Sequence, residues 1–332
     1  MNANSIILDL IVPCGLSLLI SSLLIYFFIP ILRKVKLGQK ILEVGPAWHK
    51  NKEGTPVMGG LFFITATLLT ILFMFAIGRI TSQSIFLLIN LCFMLLNGAI
   101  GFIDDYVKLF KKRNKGLTAW QKLMLQIITT GAYLGVLKAL DLITTNITNP
   151  FSGNSIDLGI FYYIIVILGI VYMINSANLT DGIDGLAGSI GLIITVLGVA
   201  IGIYAGIPEI YILEISIAGS LLGFLIFNFH PAKIFMGDTG SLFLGAALVT
   251  LFMRVDAAAL ILIAGIIYII EGLSDIIQVF SYKLTKKRIF KMAPIHHHFE
   301  MCGWSEVKIV GVFSFITVVS CGLVYYLYVL NY

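Results

Sequence analysis

The sequence predicts an all-α polytopic membrane protein of about ten transmembrane helices with both termini extracytoplasmic, and three observations carry that expectation. Of its 332 residues, 59% are hydrophobic and 12% charged, and the mean hydropathy is +1.00, more apolar surface than a water-soluble core can enclose. The apolar residues gather in runs close to the ~20 residues that cross a hydrocarbon slab of ~30 Å, without the ten-residue dyad pattern of a membrane barrel. Lys and Arg fall almost entirely in alternate connections, as the positive-inside rule requires.

Ten runs follow in order: Ile6 to Leu32, Val57 to Ile77, Ser84 to Ile103, Ala119 to Leu140, Ile160 to Ile174, Gly185 to Tyr204, Ile210 to Phe227, Ser241 to Met253, Ala257 to Phe280 and Val307 to Leu330. The first is read as a retained helix, because Met1 to Leu10 has no basic residue and the positive charge follows the run. The third stops at an Asp pair. The fifth and eighth are short and are expected to borrow flanking polar residues to cross. The ninth carries Glu271 and Asp275, which are costly in lipid and must face a cavity or the protein interior. The residues alone do not say whether they mark a transport path or a structural contact.

Nineteen of the 22 Lys and Arg lie in the odd-numbered connections and adjoining helix ends, and only Arg79, Lys138 and Arg254 in the even-numbered ones. The odd connections are therefore expected to be cytoplasmic. Cys14, Cys92, Cys302 and Cys321 have no ligand spacing and read as packing residues. With no internal repeat and only short connections, residues 1–332 read as one membrane domain with no nucleic-acid partner.

Polar islands interrupt this apolar background, all in odd connections. Asn228 to Gly240 reads Asn-Phe-His-Pro-Ala-Lys-Ile-Phe-Met-Gly-Asp-Thr-Gly. It brings Asp238 to the start of a helix, where free N–H groups and the dipole favour phosphate. Asp104 and Asp105 sit side by side at the expected end of the third helix, against its dipole and against each other. An interfacial pair neutralised by Lys108 and Lys111 explains them as well as a cation site does. In Asn178 to Gly185, Asp181 and Asp184 would share a face if helical, and one helix cap would account for only one of them.

Carboxylates and lysines together suit a hard cation and a polyphosphate, with Mg²⁺ bridging phosphate oxygens. Three consecutive histidines, His296 to His298, cannot readily converge on one tetrahedral zinc. The basic stretch Lys283 to Lys291 reads as a holder of anionic lipid headgroups.

Gly54-Thr55-Pro56 with Met58-Gly59-Gly60, Asp104-Asp105, Asn178 to Gly185, Asn228 to Ser241 and Pro294 to Glu300 together resemble the polyprenyl-phosphate N-acetylhexosamine-1-phosphate transferase superfamily. The resemblance spans nearly the whole chain and is nearest to the phospho-N-acetylmuramoyl-pentapeptide transferase branch, which the histidine motif distinguishes. It implies a homodimer in the bacterial cytoplasmic membrane with a Mg²⁺-dependent cytoplasmic active site. It also implies the reaction of UDP-N-acetylmuramoyl-pentapeptide with undecaprenyl phosphate to give lipid I and UMP, the first membrane step of peptidoglycan synthesis.

By position the resemblance implies catalytic roles for Asp104, Asp105, Asp238, His296 and His297, with Asp238 and Asp105 at the metal. It implies substrate contacts at Lys52, Lys108, Lys122, Asn178, Asp181, Gly182, Asp184, Asn228, Phe235 and Gly237. The usual Gly-Thr-Pro-Thr of the family reads Gly-Thr-Pro-Val here, so Val57 stands where a hydroxyl is expected. A sister transferase acting on UDP-N-acetylglucosamine and a polytopic transporter are the rival readings.

Overall fold

The computed structural model describes residues 3–34, 52, 54–80, 84–110 and 116–332. The basic residues of 35–51 and 111–115, Lys111 among them, lie outside it. Twelve α-helices, one 3₁₀ helix (Ala258–Leu260, leading into α9) and one hairpin are described: α1 (Ala3–Lys34), α2 (Gly59–Ala76), α3 (Ile85–Phe110), α4 (Ala119–Ala139), β1 (Asn146–Thr148), β2 (Ser155–Asp157), α5 (Ile160–Thr180), α6 (Leu186–Tyr204), α7 (Pro208–Asn228), α8 (Gly237–Arg254), α9 (Ile261–Ala264), α10 (Ile266–Thr285), α11 (Ile295–Met301) and α12 (Glu306–Asn331).

A long helix stands at each of the ten expected positions. Among the described residues, seven of these (α1, α2, α3, α5, α6, α7 and α12) are long and apolar enough to cross a membrane, and a bent pair makes an eighth. The other two, α4 and α8, are more polar for different reasons. α4 opens on a capping box, in which Thr118 and Gln121 satisfy each other's backbone N–H, and turns Lys122 and Gln126 toward α5. α8 is enclosed along its length: every residue from Thr239 to Met253 is buried, against α2, α3, α5 and α6. A helix with no lipid-facing side can be built from glycine, alanine, serine and threonine, which let neighbouring backbones approach. Gly245 shows this, since a Cβ there would stand 2.7 Å from Cα of Ile174.

Four features differ from the sequence expectation. The ninth run is not one straight span: it breaks at Gly265, and the pieces Ala258–Ala264 and Ile266–Thr285 meet at 78°. α3 does not end at Asp104 but continues to Phe110, so the Asp pair lies within a helix, with Lys108 one turn on to pair with Asp104. The connection between α4 and α5 folds as an antiparallel hairpin with Asn146 opposite Asp157 and Thr148 opposite Ser155; its turn is fixed by the Asn149 side chain, which accepts from the N–H groups of Phe151 and Ser152. Cys92 and Cys302 are exposed, whereas Cys14 is half-buried and Cys321 buried, so a packing role does not hold for Cys92 and Cys302. As expected, α5 and α8 take in flanking motif residues, Asn175 to Thr180 and Gly237 to Gly240.

Candidate active site

Four helices bring three of the polar islands together. α3 supplies Asp104, Asp105 and Lys108, α4 supplies Lys122, α5 supplies Asn178, and the first turn of α8 supplies Asp238. Asp238 is the hub. Its Oδ2 takes Lys108 Nζ and Lys122 Nζ, each at 3.0 Å, and its Oδ1 accepts from Asn178 Nδ2 at 2.9 Å. Asn178 is held in turn, accepting from Lys122 Nζ at 2.8 Å and donating to Ser241 Oγ at 2.8 Å. Lys108 also pairs with Asp104, whose other oxygen accepts from the Leu117 N–H at 2.7 Å. That approach needs a glycine at 116, where a Cβ would lie 2.6 Å from the Asp104 carboxyl carbon.

Asp105 does something the sequence did not suggest. Its Oδ1 accepts from the Asp238 N–H at 3.1 Å, and its Oδ2 from the Thr239 N–H at 3.0 Å and the Thr239 hydroxyl at 2.7 Å. The N–H groups expected to be open to phosphate at the start of α8 are therefore capped by a carboxylate from α3, as the helix dipole favours. Three of the roughly four lone-pair positions of Asp105 are thereby used. Gly237, with φ of 75°, fits there because a Cβ would come within 2.7 Å of Asp105 Oδ2 and 3.0 Å of Val57 Cγ1. Val57, the departure from the family pattern, is buried against this turn.

Asp104, Asp105 and Asp238 each offer an oxygen within 4.8 Å of the others. A set of carboxylate oxygens suits a hard divalent cation, and the remaining capacity of Asp105 and the lysine-shared oxygens of Asp104 and Asp238 leave room for one. The acidic cluster fits a metal ion.

The second island divides. Asp181 and Asp184 do not share a helical face, because residues 181–185 form a turn between α5 and α6. Asp181 caps the end of α5. Burial, and then the charges of Asp238 and Asp105, push its carboxyl well above the ordinary carboxylate range, against a Gly237 N–H that favours the anion. Asp184 belongs to a second cluster. Its Oδ1 meets Lys52 Nζ at 2.7 Å, and its Oδ2 takes the Ala232 N–H at 3.0 Å and His230 Nδ1 at 3.1 Å. Glu306, at the start of α12, closes that cluster with 2.6 Å to Lys52 Nζ and 3.0 Å to the Asp184 N–H. Sequence reasoning missed Glu306, which is 254 residues from Lys52 and in no motif.

Asn228 accepts from the Gly185 N–H at 3.1 Å and donates to the Ile234 carbonyl at 2.9 Å, tying the 181–185 turn to the segment before α8. Phe235 donates its N–H to Pro56 and accepts from the Gly59 N–H, each at 2.8 Å. The Gly59-Gly60 pair is thus a packing device: a Cβ at Gly59 would stand 2.8 Å from the Phe235 carbonyl, and one at Gly60 would meet Gly240 and lie 3.0 Å from the Met236 carbonyl.

The histidine run forms α11. His296 is enclosed, with Nδ1 2.9 Å from Glu271 Oε2, and His297 Nδ1 lies 2.6 Å from Glu300 Oε2. His298 accepts the Lys291 N–H at 3.1 Å. A Cβ at Gly182 would run into the His296 ring, 2.7 Å from Cε1 and closer to Nε2.

Comparison with known proteins supplies names. The family model of glycosyl transferase family 4 matches residues 86–256. The phospho-N-acetylmuramoyl-pentapeptide-transferase of Clostridium perfringens strain 13 is 45% identical over 306 residues, covering 92% of this chain and 94% of that one. The protein of the same name from Caldanaerobacter subterraneus is 42% identical over 300 residues, covering 90% and 92%.

Proposed function

The chain belongs to glycosyl transferase family 4 and to the phospho-N-acetylmuramoyl-pentapeptide-transferases, and from that membership we propose that it transfers phospho-N-acetylmuramoyl-pentapeptide from its UDP derivative to undecaprenyl phosphate, giving lipid I and UMP. It is a multi-pass membrane transferase. The observation that carries the reading is the meeting of Asp104, Asp105 and Asp238 with Lys108, Lys122 and Asn178, a setting for a pyrophosphate between a lipid acceptor and a nucleotide.

In the proposed direct transfer, an oxygen of the lipid phosphate attacks the sugar-linked phosphorus and UMP leaves. A phosphate monoester is already largely ionised near neutrality, so Asp104 has to orient the attacking group more than deprotonate it. Lys108 and Lys122 lie where charge builds on the transferring phosphoryl group, in a site already arranged to receive it. Asn178 and Ser241 fix Asp238, and Asp105 fixes the α8 turn that bears it. Mg²⁺ held by Asp238 and Asp105 would neutralise pyrophosphate charge. We place Asp181, Gly182, Phe235 and Gly237 at the nucleotide, with Phe235 offering a ring to uracil. Lys52, Asp184 and Asn228 border it, and His296 and His297 stand at its α11 side.

The positive-inside bias supports a cytoplasmic site with both termini outside. The chain is read as one domain that works as a homodimer in the cytoplasmic membrane, with α1, much of it exposed and apolar, available to lipid or to a second copy.

The test is UMP release by purified protein with undecaprenyl phosphate and either UDP-N-acetylmuramoyl-pentapeptide or UDP-N-acetylglucosamine, with and without Mg²⁺. Release that needs the pentapeptide nucleotide, the lipid and the metal is expected. Release from the simpler nucleotide assigns the sister reaction, and no lipid-dependent release from either refutes the proposal.

A further inference from the structure

Glu271 has no place in the transfer scheme above, yet it is fully enclosed on α10 and its Oε2 lies 2.9 Å from Nδ1 of His296, which is equally enclosed on α11. A carboxylate amid the apolar residues of α10 is costly unless paired. Packing alone gives no reason for it, since an apolar residue of similar size would join α10 to α11 at less cost.

The ring's orientation suggests a reason. An ionised carboxylate only accepts hydrogen bonds, so it requires the proton on Nδ1, and a neutral ring then carries its lone pair on Nε2. That Nε2 is buried and has no hydrogen-bond partner. It faces Gly182, where any side chain would collide with it, beside Asp181 at the end of α5. His297 repeats the device, with Nδ1 held by Glu300 at 2.6 Å and its ring centroid 4.1 Å from that of His296. His298 has the opposite arrangement: its Nδ1 accepts a backbone N–H and so carries no proton.

We propose that Glu271 is a positioning residue for His296: it keeps the proton on Nδ1 so that Nε2 stays an acceptor, aimed past Gly182 at an O–H or N–H donor of the bound sugar nucleotide. The inference rests on the transferase reading of this site. Glu271 touches no substrate; it acts through the ring, as carboxylates behind metal-bound histidines fix a tautomer.

The test combines ¹⁵N spectra of histidine-labelled protein, assigned with His296→Gln, and a double-mutant cycle. In the wild type, His296 is expected to show a protonated Nδ1 and a bare Nε2 whose resonance moves when the UDP-sugar substrate is added. Glu271→Gln keeps the volume but lets an amide donate to Nδ1 and drive the proton to Nε2. It should lower kcat at least about tenfold while KM for the nucleotide and Tm change little. In a His296→Gln background the same change should cost nothing further, whereas an independent structural role would add its loss. Three results each overturn the inference: wild-type kcat in Glu271→Gln, additive losses in the double variant, or a wild-type spectrum with the proton on Nε2. If Glu271→Gln does not fold, the wild-type spectrum decides, and an Nε2 resonance indifferent to the nucleotide overturns the inference. Absence of turnover by the wild type refutes the transferase reading instead and leaves the tautomer result standing.

Discussion

Substituting Gly101 by alanine tests whether the chemistry depends on how tightly α3 is set against the start of α8. A Cβ on Gly101 would lie 2.6 Å from the backbone N of Thr239 and closer still to the carbonyl of Asp238. Ordinary contact begins at 3.4 Å, so the two backbones must separate by at least about 0.8 Å, and no rotamer can relieve a clash with main-chain atoms. The strained atoms belong to the residues whose N–H groups Asp105 holds. The shift therefore falls between Asp105 and Asp238. Overpacking of this kind costs about 1–3 kcal/mol, and misplacing a reacting group by ~1 Å costs ~100-fold in rate. Gly98 lies one turn earlier on α3, and a Cβ there would find contacts of 3.5 to 3.6 Å with Ile64, Phe243 and Thr239. Lipid-dependent UMP release and Tm in detergent, measured on both variants, should show Gly101→Ala down roughly 100-fold and Gly98→Ala near wild type. Equal turnover by Gly101→Ala and the wild type would refute the claim that this contact sets the site.

Asp238→Asn removes the acceptor shared by Lys108 and Lys122 and should reduce turnover by roughly 1,000-fold or more with the protein still folded, as read by UMP release and circular dichroism. Lys52→Met leaves Asp184 and Glu306 facing each other, with side chains 2% and 9% exposed; thermal unfolding should show a loss of about 3 kcal/mol, somewhat lessened by water reaching Lys52. Chelation should stop UMP release, and Mg²⁺ should restore it fully, since the protein's own helices hold the carboxylates in place. For Asp181 the sign follows from linkage: its folded-state pKa is raised above the unfolded value, so the folded state binds more protons and stability falls as pH rises toward the raised pKa. Asp181→Asn should therefore raise Tm near neutrality in chelator and flatten that part of the pH dependence.

The apolar runs made the ten long helices legible, because a bilayer demands ~20 apolar residues wherever the chain crosses. The acidic islands were legible for the opposite reason, since a carboxylate in such surroundings needs a cause. What each carboxylate does was less so. Asp105 and Asp238 look alike in sequence, yet one caps a helix 133 residues away and the other gathers two lysines. Asp184 and Asp181 part company because residues 181–185 form a turn, whose shape the connection's sequence left open, and the Asn228 bonds that fix this turn come from a distant segment. The break at Gly265 had no signal beyond one glycine in an apolar run. Glu306 was hidden by its ordinary setting at a helix start, and Glu271 by ambiguity, since in the sequence a transport path explains such a carboxylate as well as a structural contact does.

α8 bears Asp238 at one end and is sheathed by protein for most of its length. Bilayers that are thinner or thicker than a protein's apolar belt act by tilting the helices that touch them. Here those helices form the outer ring, and the one that carries Asp238 feels such stress only after its neighbours have absorbed it. Turnover should thus vary little with acyl-chain length where the chemical step limits the rate. A strong dependence would point to the lipid substrate's route past the bend before α10.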